Sequence, residues 1–406
     1  MTTKHALLLA CAVAACARPP SPLSEVERAR ILSLSPLPPL PESPESPVAD
    51  DEGAAELGRA LFFDARLSAS GGTSCASCHD PAAELTDGRP IALARGRVPR
   101  NTPTLRGSAW MRWQTWDGRK DSVWAQALAP LESEAEHGTT RAEVARVVAR
   151  HHEARWSRVF GPLPADLEPE RLGGAHPVPD APDHPHARAW AAMSAAQRAA
   201  VDHVFVRVGF ALEAYLRRLD PGAAPLDRYV EALRRGDETG GGAMSEAAVR
   251  GLRAFVGPAR CFDCHHGPLL SDGEFHNLGL PPAIGVPDDD RGRADGARAL
   301  LDDPHRCASE RCAELRHLDP TRPELVGAFR TAPLRNVSRT APYMHGGHLA
   351  TLEDVLHFYR TLPGRAAVGH RDELLAPLPR GVRASDLRAF LEALSGAPPE
   401  ARWLRP

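Results

Sequence analysis

Cys75-Ala76-Ser77-Cys78-His79 is repeated in kind at Cys261-Phe262-Asp263-Cys264-His265, and this repeat decides the fold. C-x-x-C-H is the attachment signature of c-type haem: each thiol forms a thioether with one haem vinyl group, and the adjacent His lies under the iron as proximal ligand. One pentad also fits a zinc or redox-thiol site. Two, each complete with its His, point to a chain carrying two c-type haems. Such haems are attached outside the cytoplasm, so the repeat also implies export.

The rest of the composition agrees. At 406 residues, 43% hydrophobic and 25% charged, the chain is an ordinary globular one with mass for two domains. A formal charge of -3 gives no reason to expect nucleic acid or strong membrane attraction. With 39 Pro, 33 Gly and only 5% aromatic residues, the chain is rich in loops and draws part of its core from the porphyrins.

All eight cysteines find a place. Four bind haem. Cys11 and Cys16 lie in a short apolar N-terminal run, too short for a permanent span, that reads as an export signal. Val13-Ala14-Ala15-Cys16 also fits a bacterial lipobox, with Cys16 as the lipidated first residue; the competing reading is a plain cleaved signal peptide with incidental cysteines. The chain is thus expected in the periplasm or anchored at the outer membrane, touching membrane only through its lipid. Cys307 and Cys312 are expected to form a small-loop disulfide in an oxidising compartment.

Residues 17–51 are rich in Pro and Ser, with Pro36-Leu-Pro-Pro-Leu-Pro41, and read as a stiff, extended tether. Helical periodicity begins with Ala54 to Phe62. It resumes at Arg141 to Phe160 and, after a Pro-rich loop, at Ala187 to Leu219. The Gly-rich break Asp237 to Gly242 suggests a boundary, giving domains at 52–240 and 241–406. A helix from Ser245 to Phe255 then leads into the second pentad. "Helix, short turn, C-x-x-C-H" therefore occurs twice, and no stretch alternates with period two. The expected fold is mainly α, with two cytochrome c-like domains, each carrying one haem.

Further strings make the chain resemble the bacterial diheme cytochrome c peroxidase and MauG superfamily over about residues 52–400. They are Arg100-Asn-Thr-Pro-Thr-Leu105, Trp116-Asp-Gly-Arg119, Gln126 with Pro130 and Glu136, Phe275-His-Asn-Leu-Gly279, Phe329-Arg-Thr-Ala-Pro-Leu-Arg-Asn336, Thr340-Ala-Pro-Tyr-Met-His-Gly-Gly347 and Thr351 to Tyr359. In that family the N-terminal haem reacts with peroxide, and the C-terminal haem is six-coordinate and handles electrons.

The resemblance assigns further residues. Where the peroxidases carry a Met seven residues after the Leu of the Thr-Leu element, this chain has Tyr359, as in the MauG branch. A hard phenolate oxygen opposite His265 stabilises ferric and higher states; the alternative is a Tyr packed on the buried face of its helix. From Asp80 through Glu136 there is no His to cap the first iron, and Met111 reads as core. An open site opposite His79 is implied. Glu136, twenty residues beyond Trp116, matches the family's distal acid/base for peroxide cleavage, and Gln126 and Pro130 match its pocket lining. The bland reading of Glu136 is a solvated acid beside Glu132 and Glu134. His137 departs from the usual Met.

Trp116 is implied between the haems as an electron bridge, whereas Trp110 and Trp113 read as core. Calcium is implied through Asn101 and the main-chain oxygens of Thr340 and Pro342, all hard ligands. His276 and His345 are expected to line the haem environment. His151, His152, His184, His186 and His266 read as surface residues.

Three functions compete. The leading one is a MauG-like enzyme that uses hydrogen peroxide to form a high-valent diheme state and oxidises a Trp or Tyr of an exported partner protein. The insertion around Cys307 and Cys312 resembles the branch holding the methanobactin-associated diheme enzyme, although Ala259 stands where MauG has a relay Trp. The second is a peroxidase reducing H2O2 to water with electrons from a small donor. The third is a non-catalytic diheme electron carrier.

Overall fold

A computed structural model of the chain describes residues 22–283, 285–286, 290–306 and 315–406. Cys11, Cys16, Cys307 and Cys312, and with them the expected lipid anchor and disulfide, lie outside the described residues.

The structure is mainly helical, and its helices end where the sequence gives reasons to end. α1 (Glu25–Ser33) opens on a Ser24/Glu27 capping box, and α2 (Glu52–Phe62) on the Asp51 carboxylate, which accepts from the Ala54 N–H. α3 is Val123–Glu132, and α4 (Arg141–Val147) continues through a π turn into α5 (Glu153–Phe160). The helix expected from Ala187 to Leu219 is two: α6 (Pro185–Ala192) and α7 (Ala195–Leu216). A new capping box, Ser194 with Gln197, restarts the chain between them. α8 (Pro225–Arg234), α9 (Glu246–Val256), α10 (Arg293–Leu301), α11 (Leu352–Thr361) and α12 (Ala384–Glu392) complete the set. Strand structure among the described residues amounts to two short antiparallel pairs, β1 (Ala92–Leu93) with β2 (Arg97–Val98) and β3 (Phe275–His276) with β4 (Phe329–Arg330).

Each pentad is preceded by a helix with the pattern Gly-x-x-x-Phe, and each of those glycines marks a close crossing. A Cβ on Gly58 of α2 would sit 1.8 Å from the Ala211 carbonyl oxygen of α7; one on Gly251 of α9 would sit 1.9 Å from the Asp386 carbonyl oxygen of α12. Phe62 and Phe255, one turn on, are both buried. The same helix pairing thus serves both haem domains, as two copies of one fold require.

Two large apolar cores follow among the described residues, beside a small cluster around Trp113. The first gathers α2, α3, α4 and α7, ending at Leu219; the second gathers α8, α9, α11 and α12. α8 therefore belongs to the second core, which moves the structural boundary from the Gly-rich break to about residues 220–224. The chain ends also cross over. Ile31 and Leu34 are fully buried in the second core, while Trp403 packs in the first, where its carbonyl accepts from Tyr215 Oη at 2.7 Å. Residues 22–51 are not an extended tether. Apolar side chains and the pairs Arg253–Glu27 (2.9 Å) and Arg217–Asp50 (2.8 Å) fix them to both halves. The Pro-rich composition hid those contacts. Among the described residues no helix is long and apolar enough to cross a membrane.

Candidate active site

Both pentads fold into the same turn. Residues 75–77 and 261–263 form a single 3₁₀ turn. The His79 N–H donates to the Cys75 carbonyl at 2.9 Å, and the His265 N–H to the Cys261 carbonyl at 2.8 Å. Each imidazole is then tethered through Nδ1, His79 to the Leu85 carbonyl (3.0 Å) and His265 to the Leu270 carbonyl (2.8 Å). Such a bond fixes the tautomer and leaves Nε2 for a metal. Leu85 and Leu270 are both buried and both in the left-handed region, with φ of 61° and 52°. That conformation is uncommon for Leu and turns each carbonyl toward its ring. Sequence reading missed this shared device.

The thiols do not resemble a redox pair. Burial, then the neighbouring Cys78 and Glu136, pushes the Cys75 thiol up to about 12, and burial pushes Cys261 to about 12. A reactive C-x-x-C has a depressed pKa instead. Two half-buried thiols, an imidazole held by its far nitrogen and an apolar cavity fit covalent haem.

The cavity over the second pentad is lined by Cys261, Cys264 and His265, and Tyr359 of α11 forms part of its wall. Leu352, Leu356 and Tyr359 fall on one helix face, and all three line this space. Among the described residues the Tyr359 hydroxyl has no hydrogen-bond partner. Burial, then the two pentad thiols, pushes its pKa well above that of an ordinary phenol. Ala259 lines the same cavity.

Glu136 lies beside the first pentad, close enough to raise the pKa of both Cys75 and Cys78. It is half-buried, and burial outweighs a Ser133 hydrogen bond and the Arg119 charge, so its own pKa is raised. One helical turn apart on α3, Gln126 and Pro130 share a face, and Gln126 Oε1 is buried without a partner. An orphaned acceptor is what a site awaiting a protic ligand leaves behind. His137 is buried with its Nδ1 on the Leu67 carbonyl at 3.0 Å, a packing role. Met111 lines the second cavity.

The Trp116 to Arg119 string reaches both places. Trp116 lines the second cavity and donates its indole N–H to the Asn101 carbonyl at 2.8 Å. Asp117, buried, holds Arg119 at 2.5 Å, and Arg119 feels the charge of Glu136. Gly118 (φ 68°) is required at the turn between them, because a Cβ there would meet the Phe275 ring at 2.4 Å. Asn101, Thr340 and Pro342 all line the second cavity. His345 stacks on Phe329, centroids 3.6 Å apart. His276 is clamped between Asp272 (2.9 Å) and Asp372 (2.6 Å) and is pushed up to about 11, first by the Asp272 hydrogen bond, then by the Cys264 side chain, with Asp372 adding to both. Both histidines line the cavity, as expected.

Other expectations need correction or detail. His152 is not a surface residue: it is buried, with Nε2 2.7 Å from Asp64 Oδ2. Trp113 is core, packed against Leu300 and Leu315. Trp110 is only half-buried and donates to the Pro38 carbonyl at 2.8 Å. The three tryptophans do not share a helix face, for the chain beyond Trp110 is not helical.

Two covalent-attachment turns, on two copies of one helix pairing, define a diheme c-type cytochrome fold. The comparisons agree. Residues 52–235 match the model for di-haem cytochrome c peroxidase. The chain is 33% identical to the cytochrome-c peroxidase IdrP1 of Denitromonas iodatirespirans, covering 84% of this chain and 81% of that one. It is 31% identical to the methylamine utilization protein MauG of Methylophilus methylotrophus, with coverages of 84% and 82%. A solved MauG-like protein associated with microbial copper homeostasis superposes with TM-score 0.60 and 26% identity, over 89% of this chain and 93% of that one. The protein belongs to the diheme cytochrome c peroxidase/MauG family and is a haem-dependent oxidoreductase that uses peroxide.

Proposed function

We propose that the protein is a MauG-type enzyme, which uses hydrogen peroxide to oxidise a Trp or Tyr side chain of a partner protein. The observation that carries this reading is Tyr359, an unpartnered phenol on the wall of the second cavity where a peroxidase would present a Met. With haem at the second pentad, His265 and Tyr359 would hold it, and a phenolate oxygen would lower its affinity for an incoming electron and favour storing an oxidising equivalent. The haems, when bound, supply the site of O–O cleavage and hold the two oxidising equivalents that cleavage leaves.

The residues around them have separate tasks. Glu136 takes the proton from one peroxide oxygen and returns it to the other, which departs as water. Gln126 offers its buried acceptor to the peroxide, and Pro130 closes the same face. Trp116 conducts between the two sites. Two one-electron withdrawals from the partner's aromatic ring, with loss of its protons, return the enzyme to rest and release the second water. Asn101, Thr340 and Pro342 form the candidate calcium site that supports Trp116. Export to the periplasm, the anchor at Cys16 and the Cys307–Cys312 disulfide complete the proposal.

Spectroscopy and turnover test it together. Ferric holoprotein should show one high-spin haem and one low-spin haem, and Tyr359→Met should raise the potential of the second haem sharply. Rapid peroxide turnover with a reduced small cytochrome c would instead make the protein an ordinary peroxidase. Two low-spin haems would make it an electron carrier.

A further inference from the structure

The wall of the second cavity holds a cation with no counter-charge among the described residues. Arg330, in β4, is 5% exposed. Its Nε donates to the Thr115 carbonyl at 3.1 Å, and its Nη1 points at Met111 Sδ at 3.0 Å. A thioether is a weak acceptor, and Nη2 has no partner among the described residues. No carboxylate there lies within ion-pair distance. The other arginines of this wall differ: Arg106 is paired with Glu84 at 2.5 Å and Arg335 with Asp227 at 2.9 Å. The acids of the wall are committed too, Asp372 to His276 at 2.6 Å and Asp263 to Arg260 at 2.9 Å. Burial alone acts on the Arg330 guanidinium, pushing it down to about 10, so it is still charged at neutral pH.

A buried, charged guanidinium with free donors is strongly unfavourable unless an anion completes it. We infer that Arg330 binds a propionate carboxylate of the haem carried by Cys261 and Cys264, and thereby ties that haem to Trp116. The tie is physical. The Arg330 main-chain N–H donates to the Trp116 carbonyl at 2.8 Å, and its side chain holds Thr115, the residue before the indole. Thr115 itself sits at φ 68°, a strained conformation for a β-branched residue, which needs such support. The charge argument runs the same way. An uncompensated cation beside Trp116 would oppose any positive charge on the indole, and a bound carboxylate cancels it. Arg330 is thus a positioning residue that sets how readily Trp116 shares an oxidising equivalent with the second haem.

Spectropotentiometric titration of the holoprotein tests this. In Arg330→Met the propionate loses its counter-charge. The ferric form of the second haem should then gain about tenfold over the ferrous form, ~59 mV downward for one electron, while the first haem is unmoved. Arg330→Lys, which keeps the charge, should lie nearer the parent. A second haem that is fully incorporated yet unshifted in Arg330→Met would overturn the inference, as would an equal shift of both haems. If Arg330→Met does not mature, the propionate bending band in resonance Raman spectra of the parent and Arg330→Lys decides: a displaced band supports the contact, and an unchanged one rejects it. A parent potential that moves with acetate concentration would assign Arg330 to a solution anion instead and also reject it. The inference rests on haem at the second pentad and not on Tyr359, whose replacement by Met moves the same potential upward.

Discussion

Trp116 donates its indole N–H to the Asn101 carbonyl at 2.8 Å, and this bond holds the ring against the second cavity. Three residues later, Arg119 stands within electrostatic reach of Glu136 beside the first pentad. One short string thus touches the surroundings of both haems.

Trp116→Phe keeps an aromatic ring, though a smaller one, and removes both the N–H and the easily oxidised indole. One neutral hydrogen bond contributes about 1 kcal/mol, so folding and haem content should survive. Peroxide should still be consumed at the first haem, while oxidation of the partner's aromatic residue falls at least tenfold. The check is single-turnover kinetics with a peroxide pulse; undiminished partner oxidation would remove Trp116 from the path.

Glu136 has its pKa raised by burial, only partly offset by Ser133 and Arg119. As a base it must be ionised, so the peroxide reaction should accelerate as pH rises through a pKa above the ordinary carboxyl range. Glu136→Gln should abolish that rise and slow the step by about 10²–10⁴-fold. Stability should move oppositely. A carboxyl with a raised folded-state pKa is favourable below its unfolded pKa, and that advantage is lost as pH rises through the folded value. Glu136→Gln should therefore unfold at a higher temperature than the parent at neutral pH. A pH-independent parent rate would reject the assignment.

Gly251 faces the Asp386 carbonyl across the α9–α12 crossing, with room for hydrogen alone. Gly251→Ala should force the helices apart and cost about 1–3 kcal/mol, the usual range for overpacking. Gly381, where an added Cβ would meet nothing within 4 Å, is the control and should cost less on substitution to Ala. Equal stability of both variants in denaturant titrations would show that the crossing is not tight.

Much of this was legible before any coordinates. The pentads carry their chemistry in contiguous residues, and Tyr359 is marked by the resemblance to the MauG branch, at the place where the peroxidases carry a Met. What stayed hidden depends on distant chain or on backbone conformation. Nothing in the side chains of Leu85 and Leu270 marks their carbonyls as histidine anchors; only their positive φ does. Arg330 is notable for the anionic partner it lacks among the described residues, and a missing contact leaves no mark in sequence. The Pro-rich look of residues 17–51 overrode the Ser24-x-x-Glu27 capping box and the apolar Ile31 and Leu34, which are buried in the second core. His152 read as surface because its partner lies 88 residues away.

That buried pair gives the last prediction. Asp64 is buried, which by itself would raise its pKa. Hydrogen bonds from His152 at 2.7 Å and from Arg66 outweigh burial, and the pKa ends well below the ordinary carboxylate value. For a carboxylate depressed in the folded state, the stabilisation is present above the unfolded pKa and is lost as pH falls toward the folded one. Asp64→Asn keeps the size and one acceptor but turns an NH₂ toward donors. It should cost about 2 kcal/mol at neutral pH, in the range for hydrogen bonds to charged groups. The gap between variant and parent should then narrow as the solution is acidified below about pH 4. Urea titrations at neutral pH and at the lowest pH where the parent still folds would show both effects. A difference of the same size at both would mean that Asp64 acts by shape and not by charge.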